Sequence, residues 1–273
     1  PIALLNPISS EMTHMRPSLL PGLLQAARRN QARSYNDLKL FELGEVFFGA
    51  NPGEQAINAT GIFVGRHLPK NSYDSLRDVD VFDAKKIVEL ALKDMSVLIE
   101  NLSLNREGLP DYFHPKRAGT LALGPKNVLA YFGELHPRIL KNFDLKGPAI
   151  AFEIFIDKVP FPKKRKLVRP QIKLSEYQSV ERDFAFEVES SCEVNLIKRA
   201  ILNSEKGVIT EARIFDIFEG KEAELQLGKN RKSVAVMVRL QSFTKTFSDH
   251  DLDFISNKII SHVKKATGAK LRS

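Results

Sequence analysis

The stretch KSVAVMVRLQ, residues 232–241, decides the fold of the second half of the chain. Every second residue from Val234 to Leu240 is aliphatic, which is the period of a strand with one buried face. The elements predicted around it are, in chain order, a strand at 179–188, a helix at 193–202, a strand at 208–218, a helix at 248–266 and a short strand at 269–273. The order β-α-β-β-α-β predicts a ferredoxin-like domain over residues 174–273.

The last of these helices has clear end signals. Ser248 followed by Asp251 predicts a capping box at its start, and Gly268 predicts its end. The residues at 219–231, by contrast, are polar without an apolar stripe, and we predict a loop there.

A basic segment, KKRKLVRPQIK, precedes this domain at residues 163–173. Residues 158–173 contain seven Lys and Arg and no acidic residue, whereas residues 1–157 contain 18 of each sign. Because such a segment cannot bury an apolar face, we predict a linker over residues 158–173. Its charge indicates a polyanionic partner. The predicted phosphate contacts are Lys163, Lys164, Arg165 and Lys166.

The first half, residues 1–157, has the pattern of an α+β domain with an antiparallel sheet. An amphipathic helix is predicted over 17–33. A second helix is predicted to begin with Asp83 as its N-cap, with Phe82 packing on Ile87 as a hydrophobic staple. The predicted strands lie at 38–49, 59–66, 97–101, 118–123, 127–133 and 149–156, and a short helix is predicted at 136–143.

Motifs for catalysis are missing from the sequence. It contains no glycine-rich dinucleotide loop, no P-loop lysine and no metal-ligand spacing of His and Cys. His114 and His136 each precede a proline, which is typical of a turn or a helix entry.

The single cysteine, Cys192, excludes an internal disulfide and fits a reducing compartment. No apolar run reaches the roughly 18–20 residues of a membrane helix. These observations favour a binding protein.

We predict a nucleic-acid surface on the open face of the ferredoxin-like sheet. Both helices of this topology cover one face, so the residues of opposite parity are available. That parity places an aromatic ring among basic groups, which can stack a base and hold phosphates. The predicted RNA contacts are Arg213, Phe215, Arg239 and Gln241 on the strands and Lys229, Arg231 and Lys232 at the loop edge. The alternative is a face that packs on another domain or is solvated.

Motifs in both halves occur together in one known family. In the second half they are RDFAF (182–186), FDIFEG (215–220), KS (232–233) and TFSD (246–249). In the first half they are NPISSE (6–11), MRPSLLPGLL (15–24), LFELG (40–44), HP (114–115) and GELHP (133–137). The second half resembles the ferredoxin-fold anticodon-binding domain of the bacterial phenylalanyl-tRNA synthetase beta subunit. The first half is similar to the catalytic-like core of the same subunit.

The resemblance implies a class II synthetase-like core without catalytic activity. Active cores of this class use one arginine in a strand-loop-strand and another in a glycine-rich last strand to stabilise the charge of adenylate formation. Here LFELGEVF (40–47) and AFEIFID (151–157) contain neither arginine. The resemblance therefore implies that the chain alone is inactive. It also implies that His114 and His136 are structural turn residues.

The family further implies partners and cofactors. An alpha subunit would attach phenylalanine to tRNA(Phe) in an assembly of two alpha and two beta chains, with ATP and Mg²⁺ bound outside this chain. A cytoplasmic location is expected. The chain begins at Pro1 and lacks the family's earlier domains, so we expect a fragment whose core is truncated at its start.

Two rival interpretations remain open. In the first, the chain is a pure assembly module in which both halves bind protein, and the basic segment is a solvated spacer. Phosphate contacts would distinguish this from RNA binding, because they make affinity strongly dependent on salt. In the second, the chain is an autonomous hydrolase, which would need a base beside Cys192 that the sequence does not reveal.

Overall fold

A computed structural model describes residues 2–10, 13–69, 71–73, 76–160 and 174–272. The chain divides into two compact units, residues 1–166 and 167–273. The predicted phosphate contacts Lys163, Lys164, Arg165 and Lys166 lie outside the described residues. The linker over 158–173, and with it the predicted domain bounds, therefore stays a prediction.

The first unit alternates strands with helices. Its elements are β1 (Ile2–Ala3), β2 (His14–Met15), α1 (Leu20–Gln31), β3 (Leu38–Phe47), β4 (Gln55–Val64), α2 (Val81–Asp94), β5 (Leu102–Asn105), β6 (Phe113–Leu123), β7 (Asn127–Leu135), α3 (Pro137–Asn142) and β8 (Ala149–Phe155). Short 3₁₀ helices lie at Ile99–Asn101 and Ile156–Lys158. β1 and β2 form a small antiparallel pair. The other six strands form one antiparallel sheet in the order β3-β4-β8-β7-β6-β5.

Helices pack on both faces of this six-stranded sheet, although Phe41 and Leu43 of the edge strand β3 remain exposed. Leu20, Leu23 and Leu24 of α1 pack on one face, together with partly buried residues of α3. Val88 and Leu92 of α2 pack on the other face. β8 lies between β4 and β7 with six of its seven residues buried, which explains its nearly continuous apolar sequence.

The start of α2 differs from the prediction. The N-cap is Asp80, whose side chain accepts from the backbone N–H of Phe82 and Asp83, and Asp83 completes a capping box from the third helical position. The prediction of Asp83 as the N-cap is therefore wrong. The predicted staple is also wrong, because Phe82 is 72% exposed. The strand predicted at 97–101 is a 3₁₀ turn at Ile99–Asn101, and the strand β5 follows it.

The second unit confirms the predicted ferredoxin-like order and adds one helix. Its elements are β9 (Val180–Glu189), α4 (Val194–Ser204), β10 (Ile209–Phe218), α5 (Lys221–Leu227), β11 (Arg231–Leu240), α6 (Asp249–Thr267) and β12 (Lys270–Leu271). The four strands form an antiparallel sheet in the order β10-β11-β9-β12. The capping box of Ser248 and Asp251 is confirmed, and Gly268 ends α6 with φ +69°.

The additional helix α5 replaces the predicted loop at 219–231. It runs between Gly220 and Gly228, both at positive φ, and its sequence KEAELQL consists of good helix formers. Only Ala223 is buried, so the helix has no apolar stripe for a sequence pattern to detect.

Candidate functional site

The sheet of the second unit has the predicted parity on β11. Val234, Val236 and Val238 pack in the core formed with α4 and α6. The alternate residues of β11 face the opposite side, which we call the open face. Register places Met237 of β11 opposite Arg213 on β10 and Asp183 on β9.

Arg239 lies on the open face between two glutamates. Its Nη2 is 2.6 Å from Glu181 Oε1 on β9, and its Nη1 is 3.2 Å from Glu211 Oε2 on β10. The hydrogen bond to Glu181 raises the pKa of Arg239. These two carboxylates already neutralise the guanidinium, so a phosphate would have to displace them.

Three further predicted RNA contacts are engaged or enclosed by the protein. Lys232 is buried on the helix-covered side, opposite Val188, and its Nζ donates to the carbonyl oxygen of Ser190 at 2.9 Å. The Gln241 side chain donates to the carbonyl oxygens of Tyr177 and Ser242. Arg231 is partly buried, and its Nε finds no hydrogen-bond partner among the described residues.

Arg213, Phe215 and Lys229 are exposed. Phe215 lies at a register shift between Ile214 and Asp216, where β10 has one residue more than β11, and the residue is 56% exposed. Such a bulge redirects the side chain at an edge strand. Arg213 and Phe215 therefore lie near each other on the edge strand β10, whereas Lys229 precedes the far end of β11.

The open face carries several acidic groups, whereas the prediction described only basic groups around an aromatic ring. Its register positions on β9 and β10 include Glu181, Asp183, Glu187, Glu189, Glu211 and Asp216. The face is therefore mixed in charge and not mainly basic, and its role in RNA binding stays a prediction. The missed signal was in the sequence, because the alternation of VERDFAFEVE places the acids of β9 opposite to its buried phenylalanines.

Part of the open face is also covered by α5. Ala223 of α5 is fully buried, and the helix packs against β11. Arg272 Nη2 donates to Gln226 Oε1 of α5 at 3.2 Å, and its guanidinium lies 5.7 Å from the centroid of the Phe218 ring. The end of the face that holds Phe218 is thus occupied by the protein itself.

In the first unit, a row of polar residues crosses the sheet on the α1 side. Register aligns Glu42 of β3, Thr60 of β4, Glu153 of β8 and Tyr131 of β7. Glu153 is 3% exposed and accepts hydrogen bonds from the hydroxyls of Tyr112 and Ser18. Burial raises the pKa of Glu153 above its ordinary value. Burial and the neighbouring Glu153 likewise raise the pKa of Tyr112.

Basic groups near this row are already engaged. Arg16 forms an ion pair with Glu42 and donates from Nε to the carbonyl oxygen of Glu45 at 2.9 Å. Lys158 Nζ lies 4.4 Å from the centroid of the Phe155 ring. The face thus presents a buried carboxylate without a free basic partner beside it in the described part of the chain.

The two His-Pro motifs have local structural roles. The Nδ1 of His114 accepts from the backbone N–H of Lys116, and that of His136 accepts from Arg138 at the start of α3. Their rings lie 6.4 Å apart. Cys192 is half-buried, and burial raises the pKa of its thiol, which disfavours the reactive thiolate.

Two family models match the chain. Residues 1–156 match the phenylalanyl tRNA synthetase beta chain CLM domain, and residues 175–272 match the ferredoxin-fold anticodon binding domain. The chain belongs to the phenylalanyl-tRNA synthetase beta chain family. The resemblance found in the sequence motifs is therefore confirmed for both halves.

Relatives in this family are named phenylalanine–tRNA ligase beta subunit. The proteins from Cereibacter sphaeroides and Ruegeria pomeroyi are 49% and 46% identical over 267 residues, which is 98% of this chain and 33% of each relative. The protein from Rhodospirillum rubrum is 41% identical over 273 residues, which is the whole of this chain and 33% of that relative. The chain thus spans about a third of the length of the curated relatives it matches.

Among solved structures, a pyrrolysyl-tRNA synthetase from Desulfitobacterium hafniense aligns with TM-score 0.40 and 13% identity over 56% of this chain and 51% of that one. No helix in the described ranges combines the length and apolarity needed to cross a membrane. The described residues also contain no cluster of His, Cys, Asp and Glu that could hold a metal ion.

Proposed function

We propose that this chain is a non-catalytic scaffold and tRNA-anticodon-binding part of a phenylalanine–tRNA ligase beta subunit. The observation that carries the proposal is the match of residues 175–272 to the ferredoxin-fold anticodon binding domain, in a unit with that strand and helix order. The first unit would contact an alpha subunit, and the second would bind tRNA(Phe). Together they would support ATP-dependent attachment of phenylalanine to this tRNA.

The proposed assembly follows the family. Two alpha and two beta chains would form the enzyme in the cytoplasm, with the alpha chain performing the reaction. ATP and Mg²⁺ would be bound outside this chain. The first unit would be a class II synthetase-like core that is truncated at its start and inactive alone.

The electrostatics of the first unit support a non-catalytic role. A nucleoside triphosphate needs cations around its phosphates. The polar row on the α1 side instead presents the buried carboxylate of Glu153, while Arg16 is held by Glu42. A bound triphosphate would meet like charge there, which disfavours adenylate formation on this sheet.

The set of residues proposed to contact RNA is smaller than the set predicted from the sequence. Arg213 and Phe215 are exposed near each other on β10, so one could contact a phosphate while the other stacks on a base. Lys229 and the basic segment at 163–173 would add phosphate contacts without reading sequence. Arg231, Lys232, Arg239 and Gln241 are less suited, because the protein engages or partly encloses their polar groups.

The test is an affinity measurement with tRNA(Phe). The chain is mixed with its alpha subunit, and tRNA(Phe) binding is compared between the wild-type beta chain and the double variant R213A/F215A. Stacking on one aromatic ring contributes about 1–3 kcal/mol, so we expect affinity to fall at least about tenfold. The salt dependence should also become shallower, by about 0.7 in the slope of log affinity against log salt for one lost single-strand phosphate contact.

A matched control is R182A/F254A, which removes the same residue types from exposed positions elsewhere on the unit. Arg182 lies opposite Val238, on the parity of the helix-covered side. This control should leave affinity unchanged. Equal affinity of R213A/F215A and wild type, at moderate salt, would contradict the assignment of the contact to β10.

The acidic groups of the open face favour a second candidate, a pure protein-assembly module. In that case the second unit would bind protein through a face of mixed charge, and the chain would show no RNA affinity. Size-exclusion chromatography with alpha subunit and tRNA(Phe) separates the two. Retention of alpha subunit without tRNA at low salt would support the assembly module.

A further inference from the structure

A cavity of about 460 Å³ lies beside the polar row of the first unit. Its wall combines apolar and aromatic side chains with a few polar groups, which is the composition of small-molecule sites of roughly 300–1,000 Å³. The apolar part of the wall includes Phe48, Ile57 and Phe155, and the polar part includes Glu153, Tyr112 and Asn58.

The polar wall of the cavity includes two acceptors that are buried in the protein, the Glu153 carboxylate and the Asn58 Oδ1. Asn58 is 3% exposed, lines the cavity, and has no hydrogen-bond partner for its Oδ1 within the described ranges. The next residue on the same face of β4, Thr60, is fully buried, and its Oγ1 is also unpaired there. Thr60 does not line the cavity, but Asn58 does. Since unpaired buried acceptors are uncommon and destabilising, the Asn58 Oδ1 points to a ligand that brings an N–H donor.

The charged residues that line the cavity in the described part of the chain are two acids and one base. The carboxylate of Glu153 is held by two neutral hydroxyls, from Tyr112 and Ser18, and not by a cation. Asp157 also lines the cavity, where its Oδ2 accepts from the backbone N–H of Ile57 at 2.7 Å. Lys158 is the only basic residue of the wall within the described ranges, and its ammonium lies over the Phe155 ring. A cation would therefore be attracted and an anion repelled.

We propose that this cavity binds a small organic cation, namely a primary ammonium on a short aromatic or aliphatic body. The ammonium would donate to Glu153 and to Asn58 Oδ1, and the body would pack on Phe155 and Ile57. This site is independent of the proposed tRNA contact, which lies in the other unit.

The probe for the test is 2-phenylethylammonium, titrated into the full chain by isothermal calorimetry. The comparison ligand is 3-phenylpropionate, which has a similar body and the opposite charge. We expect saturable binding of the cation and at least about tenfold weaker binding of the anion, because the anion would face Glu153 without a compensating donor. Absence of saturable cation binding, or equal binding of both ligands, would overturn the proposal.

Two variants locate the site. E153Q keeps hydrogen-bonding groups for Tyr112 and Ser18 while removing the charge, and it should weaken cation binding at least about tenfold. A56L fills the wall at a partly exposed position without changing charge, and it should also reduce binding. The matched control is E134Q, which neutralises a carboxylate on β7 that pairs with Arg117 outside the cavity. Cation binding that survives both E153Q and A56L, in folded protein by circular dichroism, would place the ligand elsewhere and refute the site.

Discussion

The two sheets of this chain differ in how much of them is covered. Helices cover both faces of the six-stranded sheet, whereas α4 and α6 cover one face of the four-stranded sheet and α5 covers only part of the other. Polar residues on the covered parts of the first sheet, such as Thr60 and Glu153, are therefore buried away from water. Those on the open face of the second can pair across strands or with water.

Two glutamates illustrate the difference. Glu153 is buried in the first sheet, accepts hydrogen bonds from two neutral hydroxyls, and has a raised pKa. Glu181 is exposed on the second sheet and pairs with Arg239. Burial thus disfavours the charged form of the glutamate in the first unit, whereas an exposed glutamate in the second unit forms an ion pair. The degree of burial therefore decides the effect of the charge more than the residue type does.

The largest expected effect tests the close packing of the covered sheet. A Cβ on Gly61 of β4 would overlap the ring of Phe152 on the neighbouring strand. We expect G61A to lower the free energy of unfolding by about 1–3 kcal/mol, as overpacking does. Urea unfolding measures this, with hydrogen exchange assigning the transition to the first unit.

The same substitution has the opposite sign at Gly22. This glycine is exposed within α1, and the nearest atom to an added Cβ is Glu42 Oε2 at 3.9 Å. G22A should stabilise the unit by about 0.5–1 kcal/mol, since alanine restricts the unfolded chain and favours helix. A destabilising G22A, or a neutral G61A, would show that packing is not what distinguishes these positions.

The next effect compares the two capping boxes. Asp83 is buried, and its carboxylate accepts from Arg77 at 2.7 and 2.8 Å and lies 2.9 Å from His67 Nδ1. We expect D83A to cost about 2 kcal/mol, from the lost cap and the charged hydrogen bonds. D251A removes the capping box of α6, and it should lower the free energy of unfolding by less than D83A does. Thermal unfolding of both variants makes the comparison, and a larger loss in D251A would contradict it.

Asp83 also predicts a loss of stability at acid pH. The hydrogen bond from Arg77 lowers the pKa of Asp83 to about 2, below the unfolded value of about 3.9. Its stabilisation is therefore full above pH 3.9 and is lost as the pH falls toward 2. D83A should remove this part of the acid sensitivity, which unfolding curves between pH 2 and 5 would measure.

Glu153 predicts the opposite pH dependence. Burial raises its folded pKa above the unfolded value of about 4.3, so the folded state binds more protons and stability falls as the pH rises through that interval. E153Q should therefore gain stability relative to wild type as the pH rises from about 4 to neutrality. Urea unfolding at several pH values measures the difference. A gain that does not change with pH would contradict the burial of the charge.

The smallest effect is expected at the open face. Glu181 pairs with an exposed arginine that also contacts Glu211, and exposed ion pairs contribute about 0–1 kcal/mol. E181Q should leave the unfolding midpoint nearly unchanged at moderate salt, in contrast to E153Q. A shift as large as that of E153Q would remove the distinction between the two sheets.

Local patterns predicted the second unit well. Strict alternation from Val234 to Leu240 and the capping pair Ser248 and Asp251 depend on neighbours in sequence, and both are confirmed. The start of α2 is predicted wrongly, because Asp80 and Asp83 are three residues apart and both have a side chain that can cap a helix. Only the position of the first helical turn distinguishes them.

The surroundings of the candidate sites could not be read in the same way. The acids around Arg239 come from strands 28 and 58 residues away in sequence, so their contact depends on register between strands. The bulge at Phe215 is likewise a property of a strand pair. The cavity beside Glu153 needs Asn58 and Glu153 on neighbouring strands β4 and β8, a pairing that no local pattern specifies.

The pairing of β4 with β8 has a consequence for the order of folding. β5 to β8 form a meander between neighbours in sequence, but Asn58 of β4 is opposite Phe155 of β8, almost a hundred residues later. Contacts of such long sequence separation slow folding, because the chain must close a large loop before they form. During synthesis we therefore expect the β4 edge of the β3–β4 hairpin to stay unpaired until β8 has left the ribosome.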